Sequence, residues 1–142
     1  MVMHAISETG ATSVKVDSIG VGFGVIGELR NRRLPKVQIH GVNVGERASR
    51  PGKFVNLRAE LWWEVGRGLS ERGGWDLSQM DNADTTVAQL LEPQWDSDPT
   101  GRVRVEKKEE VIKRLGRSPD NADALLLAYF QPPTARIRVL GA

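Results

Sequence analysis

Two strands with a short helix between them are predicted near the start of the chain. Residues 14–19 alternate apolar and polar side chains and run into glycines, and residues 37–44 alternate strictly, as half-buried strands do. Four apolar residues within 23–33 predict a short helix, which Pro35 closes. A strand, a helix and a strand within about 30 residues predict a right-handed βαβ unit with parallel strands.

A longer helix is predicted over residues 54–69. Six apolar residues recur there at helical spacing and form a stripe that faces the core: Phe54, Leu57, Leu61, Trp62, Val65 and Leu69. Because Trp62 belongs to this stripe, we expect its indole to be buried rather than to stack on a nucleic-acid base.

Short elements are predicted for the second half of the chain. Residues 75–99 are rich in turn formers around one short helix at 84–92. A strand over 101–106 and a helix over 108–115 follow. Residues 135–140 alternate arginine with apolar side chains, which predicts either a last strand or a frayed end.

The last helix has a clear start. Ser118 is suited to the N-cap, Pro119 to the first helical position, and Asp120 to the first turn. The residues that follow, to about Phe130, are nearly all apolar, so we expect this helix to be buried.

Composition restricts the possible classes of protein. The chain has 142 residues, the length of one domain, with 39% hydrophobic residues and a net charge of +2. It has no cysteine, which excludes a disulfide scaffold and a cysteine zinc site. No apolar run approaches the 18 residues or so of a membrane span, and we expect a cytoplasmic protein.

The basic residues are clustered. They lie within residues 30–36, 47–53 and 102–117, and such clusters suit the phosphate backbone of nucleic acids. Solvated surfaces of mixed charge are the alternative.

Asp17 is the first candidate site residue. It lies at the carboxyl end of the first predicted strand, next to glycines, and ligands of open α/β sheets bind outside the carboxyl ends of strands. Asp17 is thus suited to hold a metal ion or a substrate. The alternative is a structural role in which its carboxylate caps the glycine loop.

The second candidate is Asp123, with Asp120 three residues before it. Asp123 lies among apolar residues, and a buried carboxylate is costly unless it is paired with a cation or bound to a metal. The i, i+3 spacing lets both carboxylates point to one side of the helix. An ion pair with an arginine would explain Asp123, and a favourable helix dipole would explain Asp120.

A glycine motif favours a different class of protein. Gly22, Gly24 and Gly27 form G-x-G-x-x-G between a predicted strand and a helix, and Glu46 follows the next strand, as in dinucleotide-binding modules. The motif alone is weakly specific, and Asp17 would repel a pyrophosphate. The two histidines, His4 and His40, lack metal-ligand spacing.

Four segments, in this order, resemble one protein family. They are residues 16–25, 42–48, 54–63 and 107–125, and together they resemble the C-terminal nuclease domain of the large terminase subunit of tailed bacteriophages and prophages. The resemblance covers residues 12–130, and we treat residues 1–142 as a single, partial domain of this type.

The resemblance implies an α/β fold of the RNase H-like class and an endonuclease that cuts concatemeric double-stranded DNA during genome packaging. It implies an acidic cluster that binds two divalent ions, Mg²⁺ or Mn²⁺, in which Asp17 and the Asp120/Asp123 pair would be catalytic and metal-binding residues. Lys107 and Lys108 would contact DNA phosphates.

The chain departs from the family at its start. The family's first acidic residue lies on antiparallel strands that precede this region, and only residues 1–13 stand before the first strand here. We therefore expect a partial fold, weak or no nuclease activity, and self-association through the exposed strand edge. The alternative is a non-catalytic DNA-binding or structural prophage remnant. Other packaging proteins are expected partners, in the cytoplasm of a bacterial host.

Overall fold

In the computed structural model, which describes residues 2–72 and 74–132, the chain begins with a helix that the sequence analysis did not predict. This helix, α1, spans Val2–Thr9, and none of its residues is buried. Because α1 is exposed, its sequence contains no apolar stripe from which a helix could be predicted. Among the described residues, α1 is the element that precedes the first strand, and no strand does.

The predicted βαβ unit is confirmed. Strand β1 (Ser13–Asp17) pairs in parallel with β2 (Gln38–Val42), and α2 (Gly22–Asn31) connects them. Ile26 and Leu29 of α2 are buried.

One edge of β1 faces away from β2. The N–H group of Ser18 donates to the carbonyl of Val42 at 2.9 Å, and backbone groups alternate in direction along a strand. Those of Ser13, Lys15 and Asp17 consequently point to the other edge, where no strand lies among the described residues.

The start of α2 packs directly on the end of β1. A Cβ atom at Gly22 would lie 1.5 Å from the carbonyl oxygen of Asp17, so only glycine permits this approach. This contact accounts for one glycine of the G-x-G-x-x-G motif by packing alone.

The central helix, α3, spans Leu57–Ser70, and its predicted start at Phe54 is wrong. Asn56 is the N-cap, and its side chain accepts the N–H of Ala59 at 2.9 Å. Phe54 instead lies in extended backbone that bridges Val103 and is fully buried. The expectation for Trp62 is confirmed, because it is 8% exposed.

The second half contains α4 (Ala83–Leu90), β3 (Trp95–Ser97), β4 (Val103–Val105) and α5 (Lys108–Leu115). The prediction missed β3, which pairs antiparallel with β4. All three residues of β3 are exposed, so its sequence has no alternation of apolar and polar residues.

The last helix, α6, spans Asp120–Tyr129. The N-cap is Pro119 rather than Ser118, whose hydroxyl donates to the Asp120 carboxylate at 2.6 Å. The expectation of a wholly buried helix is wrong, because only Ala122 and Leu126 are buried. The predicted element at 135–140 lies outside the described residues.

The main core lies where α3 packs against β4 and α6. Its buried members are the following: Val42, Ala48, Phe54, Leu57, Ala59, Leu61, Trp62, Val65, Val103, Val105, Ala122 and Leu126. Only Val42 comes from the βαβ unit, so that unit contributes little to this core. The helices of the described residues include none with the length and apolar character needed to cross a membrane.

The contact of Gly22 with Asp17 leads to a stability prediction. We expect Gly22→Ala to lower the free energy of unfolding by roughly 1–3 kcal/mol, because its methyl group would displace the Asp17 backbone. Gly24→Ala is the matched control, since a Cβ atom there meets no atom within 4 Å. The control should raise stability by roughly 0.5–1 kcal/mol. Urea unfolding followed by circular dichroism measures both, and equal effects would contradict the role assigned to Gly22.

Candidate functional site

Asp17 is the last residue of β1. Its Oδ1 atom accepts the backbone N–H of Ile19 at 3.0 Å, so the carboxylate caps the loop that follows. This is the local structural bond that the sequence analysis weighed as the alternative. The bond uses one lone pair of Oδ1, and further acceptor positions of the carboxylate are available for a ligand.

Asp120 and Asp123 point to the same side of α6, as their spacing predicted. The Nζ atom of Lys108 lies 2.9 Å from Oδ1 of Asp120 and 2.9 Å from Oδ2 of Asp123. The Ser118 hydroxyl and the Lys108 ammonium lower the pKa of the Asp120 carboxyl group. Burial opposes the charge of Lys108, but its bonds to the two carboxylates prevail and raise its pKa. Two carboxylates therefore meet at one cation.

Arg58, on α3, is a second cation at Asp123. Its Nη1 atom lies 2.9 Å from Oδ1 of Asp123, and its guanidinium lies over the ring of Trp62, 4.6 Å from the centroid. The side chains of Arg58 and Asp123 are only 10% and 20% exposed. The arginine that the sequence analysis considered as an alternative partner for Asp123 is therefore present. The sequence analysis did not identify Arg58, because α3 contains several charged residues and only Asp123, among the apolar residues of α6, indicated that a cationic partner was needed.

Lys15, on β1, was also missed. Its Nζ atom donates to the carbonyl of Ala128 in the last turn of α6, at 2.8 Å. Burial lowers its pKa. Because side chains alternate along a strand, Lys15 and Asp17 lie on the same face of β1.

Lys107 precedes α5 and is exposed. Its backbone N–H donates to the Glu110 carboxylate at 3.3 Å. The side chain of Lys107 is thus free to extend into solvent, next to Lys108.

A separate pair of buried carboxylates on α3 is fully accounted for by cations. Arg50 lies 2.9 Å from Glu60 and 2.6 Å from Glu64. Burial raises the pKa of Glu60, but the bonds from Ser49 and Arg50 prevail and lower it. We assign this pair to stability and not to the candidate site.

The fit to a metal ion can be judged from the donor groups. Carboxylate oxygens are the ligands that Mg²⁺ and Mn²⁺ prefer, and Asp120 and Asp123 already converge on one cation, the Lys108 ammonium. Within residues 2–72 and 74–132, however, no three acidic or histidine side chains group in a way that could hold a metal ion. The pair fits one cation, and Asp17 belongs to no such group.

Solved structures share this architecture. The nuclease domain of the large terminase subunit gp2 of bacterial virus Sf6 superposes with a TM-score of 0.76 at 19% identity, over 92% of this chain and 70% of that chain. A lysine-to-alanine mutant of that domain with manganese gives 0.75 at 19% identity, over 91% and 70%. The mutant with calcium superposes with a TM-score of 0.75 at 19% identity, over 91% of this chain and 69% of that chain.

This chain has the terminase nuclease fold. The predicted RNase H-like α/β class is therefore confirmed, with β1 and β2 as its parallel pair. No family model and no curated protein matches the sequence. At 19% identity, the similarity of this chain to those nuclease domains establishes a shared fold and does not establish a shared activity.

The buried ion pair of Arg58 and Asp123 leads to a prediction. We expect Arg58→Met to lower the free energy of unfolding by roughly 1–3 kcal/mol, because Asp123 loses one of its two cationic partners while Lys108 remains. The double variant Arg58→Met/Asp123→Leu should recover much of this loss. Arg104→Met, which breaks the exposed pair with Asp96, should change little. If the effects of Arg58→Met and Asp123→Leu alone add up to that of the double variant, the pair is not coupled.

Proposed function

We propose that this chain is a DNA endonuclease domain of phage terminase type, whose activity is weak or absent in the isolated chain. The observation that carries the proposal is the placement of carboxylates on the terminase nuclease fold. Asp17 ends β1, and Asp120 and Asp123 lie on α6, the helix that Lys15 bonds to β1.

Distances along the elements support a shared site. From the Lys15–Ala128 contact, Asp17 lies two strand residues further on, about 6.6 Å. Asp123 lies five helical residues before Ala128, about 7.5 Å. The proposal takes α6 to run antiparallel to β1, in which case these similar offsets would bring the two carboxylates to about the same level.

Asp17, Asp120 and Asp123 would hold Mg²⁺ or Mn²⁺ at this site. Such ions activate a water molecule and stabilise the leaving oxygen in phosphodiester hydrolysis. The residues of this chain position the carboxylates: Arg58 holds Asp123, and Lys108 marks the place of a cation between Asp123 and Asp120. Weak or absent activity follows because Lys108 and Arg58 already pair with the carboxylates of α6. Among the described residues Asp17 also does not group with those two carboxylates into a set of three acids, so the proposed ligand set is not assembled in the ion-free chain.

Double-stranded DNA is the proposed substrate, and Lys107 and Lys108 are its proposed phosphate contacts. Lys107 is exposed, and Lys108 is 36% exposed beside the carboxylates. Phosphate groups attract such side chains without regard to base sequence.

The proposed partners follow from the same reading. In a bacterial host we propose that the domain works in the cytoplasm with other packaging proteins. The edge of β1 that has no neighbouring strand among the described residues supports self-association.

A second candidate is a non-catalytic DNA-binding or structural domain. The observation in its favour is the neutralisation of Asp123 by both Arg58 and Lys108. A carboxylate held by two cations has a purely structural explanation.

Nicking of supercoiled plasmid with Mn²⁺ tests the endonuclease. We expect slow nicking by the wild type and a fall to background in Asp17→Asn and Asp123→Asn, because each removes a charged ligand. Asp81→Asn, at an exposed position, is the matched control and should retain wild-type activity. A wild type that binds DNA without nicking it would instead support the second candidate.

Salt dependence tests the DNA contact. We expect Lys107→Ala to weaken binding of labelled duplex DNA and to reduce the slope of log K against log salt by roughly 1. Fluorescence anisotropy measures this slope at several salt concentrations. Arg72→Ala, at an exposed residue that follows α3 and lies outside the three basic clusters, is the control with the same change of charge. An unchanged slope in Lys107→Ala would remove Lys107 from the DNA contact.

A further inference from the structure

We infer that two copies of this chain associate by placing an apolar tip of one copy in an aromatic groove of the other. The apolar tip consists of Ile19, Val21 and Phe23, at the junction of β1 and α2. The aromatic groove lies between α3 and the segment from α4 to β3. The inference does not depend on the nuclease activity proposed above, and its two surfaces are distinct from the open edge of β1.

The apolar tip is exposed and held in place. Ile19, Val21 and Phe23 are 56%, 87% and 77% exposed. A single exposed apolar side chain is ordinary, but a patch of several marks an interaction surface. The Asp17 carboxylate accepts the N–H of Ile19 at 3.0 Å, and the N–H of Phe23 donates to the carbonyl of Gly20 at 3.3 Å. The loop therefore presents the three side chains in a fixed arrangement.

Two adjoining cavities of about 510 and 440 Å³ form the aromatic groove. The groove is open above Gly66 of α3, where a Cβ atom would meet open space. Leu91 and Trp95, on the wall formed by the segment from α4 to β3, are 80% and 60% exposed. Branched aliphatic and phenyl side chains suit the lining, which includes the following residues: Trp62, Gly66, Trp75, Val87, Leu91 and Trp95.

The segment that forms this wall is acidic. Residues 73–101 contain six acidic residues and no lysine or arginine. Glu92, Asp96 and Asp98 pair with arginines from other segments. Asp81 and Asp84 are exposed, and within residues 2–72 and 74–132 neither forms an ion pair. Such carboxylates repel DNA phosphates and attract cations, so the groove suits an apolar segment with basic residues beside it.

The apolar tip has this character, and its charges match those of the groove in spacing. Phe23 and Arg30 are seven positions apart on one exposed face of α2, about 10.5 Å along the axis. Leu91 and Asp84 have the same separation along α4. When Phe23 lies beside Leu91 and the two helices run antiparallel, the arginine of one copy meets the aspartate of the other. Electrostatic complementarity of this kind selects the partner and its orientation, and here it favours a second copy.

Two glycines of α2 fit the same contact. Gly24 and Gly27 lie on the exposed side of α2, near Phe23, and a Cβ atom at either would meet open space. Packing within the chain therefore does not require glycine at these positions, although each glycine lowers the stability of a helix relative to alanine. Without side chains there, the backbone of α2 can approach a neighbouring helix closely.

The test measures association of full chains by sedimentation equilibrium over a range of concentrations. Phe23→Ser removes the apolar tip, and Leu91→Ser changes the aromatic groove. Ile112→Ser, at a 38% exposed residue of α5, is the matched control for the loss of an exposed apolar side chain. Circular dichroism checks that each variant is folded. If one is not, the corresponding alanine variant replaces it.

We expect the wild type to associate reversibly, and each of Phe23→Ser and Leu91→Ser to raise the dissociation constant by about tenfold or more. Ile112→Ser should match the wild type. An equimolar mixture of Phe23→Ser and Leu91→Ser should associate more tightly than either variant alone. In the mixture, the intact groove of the first variant can still receive the intact tip of the second.

Charge exchange tests the proposed orientation. Arg30→Asp and Asp84→Arg should each weaken association several-fold at low salt, because like charges then face each other. The double variant Arg30→Asp/Asp84→Arg restores opposite charges across the contact and should recover the affinity of the wild type.

Three results would overturn the inference. A wild type that remains monomeric at every concentration would exclude association. Association that is unchanged in both Phe23→Ser and Leu91→Ser would place the contact elsewhere, such as at the edge of β1. A mixture of these two variants that associates no better than either alone would show that the tip does not occupy the groove. None of these measurements involves DNA cleavage, so a failure of the proposed nuclease activity is seen separately.

Discussion

The ion pair between Arg58 and Asp123 is the contact on which the arrangement of the last helix depends. The carboxylate of Asp123 lies on the packed side of α6 and requires a cationic partner. Arg58 of α3 is that partner, and its side chain is itself nine-tenths buried. The pair sits over Trp62, so the electrostatic contact and the apolar core are one continuous region. Charged groups in a protein interior tolerate few alternative arrangements. The ion pair and the buried side chains of Ala122 and Leu126 thus together hold α6 against α3.

Beyond this contact the molecule has two regions, which differ in how many apolar side chains they bury. The first, around α3, β4 and α6, contains most of the buried apolar residues. The second, the βαβ unit, is held to it by backbone bonds such as that from Arg58 to the carbonyl of Val44 at 2.8 Å, and by Lys15. The proposed ligands are divided between these regions, with Asp17 on one and the α6 carboxylates on the other. Relative motion of the two regions would consequently change the distance between Asp17 and the α6 carboxylates.

Elements with a clear apolar period were predictable, and those held by polar contacts were not. The βαβ unit and α5 follow from alternation and helical spacing, and the placement of Trp62 follows from its stripe. Strand β3 was not predicted, because its exposed residues are held by ion pairs such as that of Asp96 with Arg104. The start of α3 was predicted too early because Phe54 fits the helical stripe, although Asn56 begins the helix. At the site, the carboxylates were recognisable by type and position. Their partners Arg58 and Lys108, and the bond from Lys15 to the carbonyl of Ala128, depend on contacts between distant segments, which no single stretch of sequence reveals.

The bridge from Lys108 to both α6 carboxylates has a practical consequence for the fold. In many small metal-binding domains the apo chain is unfolded, because the site forms only with the metal and the free energy of metal binding drives folding. Here the chain carries its own counter-ions, because Lys108 and Arg58 together pair with both carboxylates of α6 in the folded chain. Assembly of the domain is therefore uncoupled from metal supply, so a chelator that strips divalent ions from solution should leave the folded chain intact.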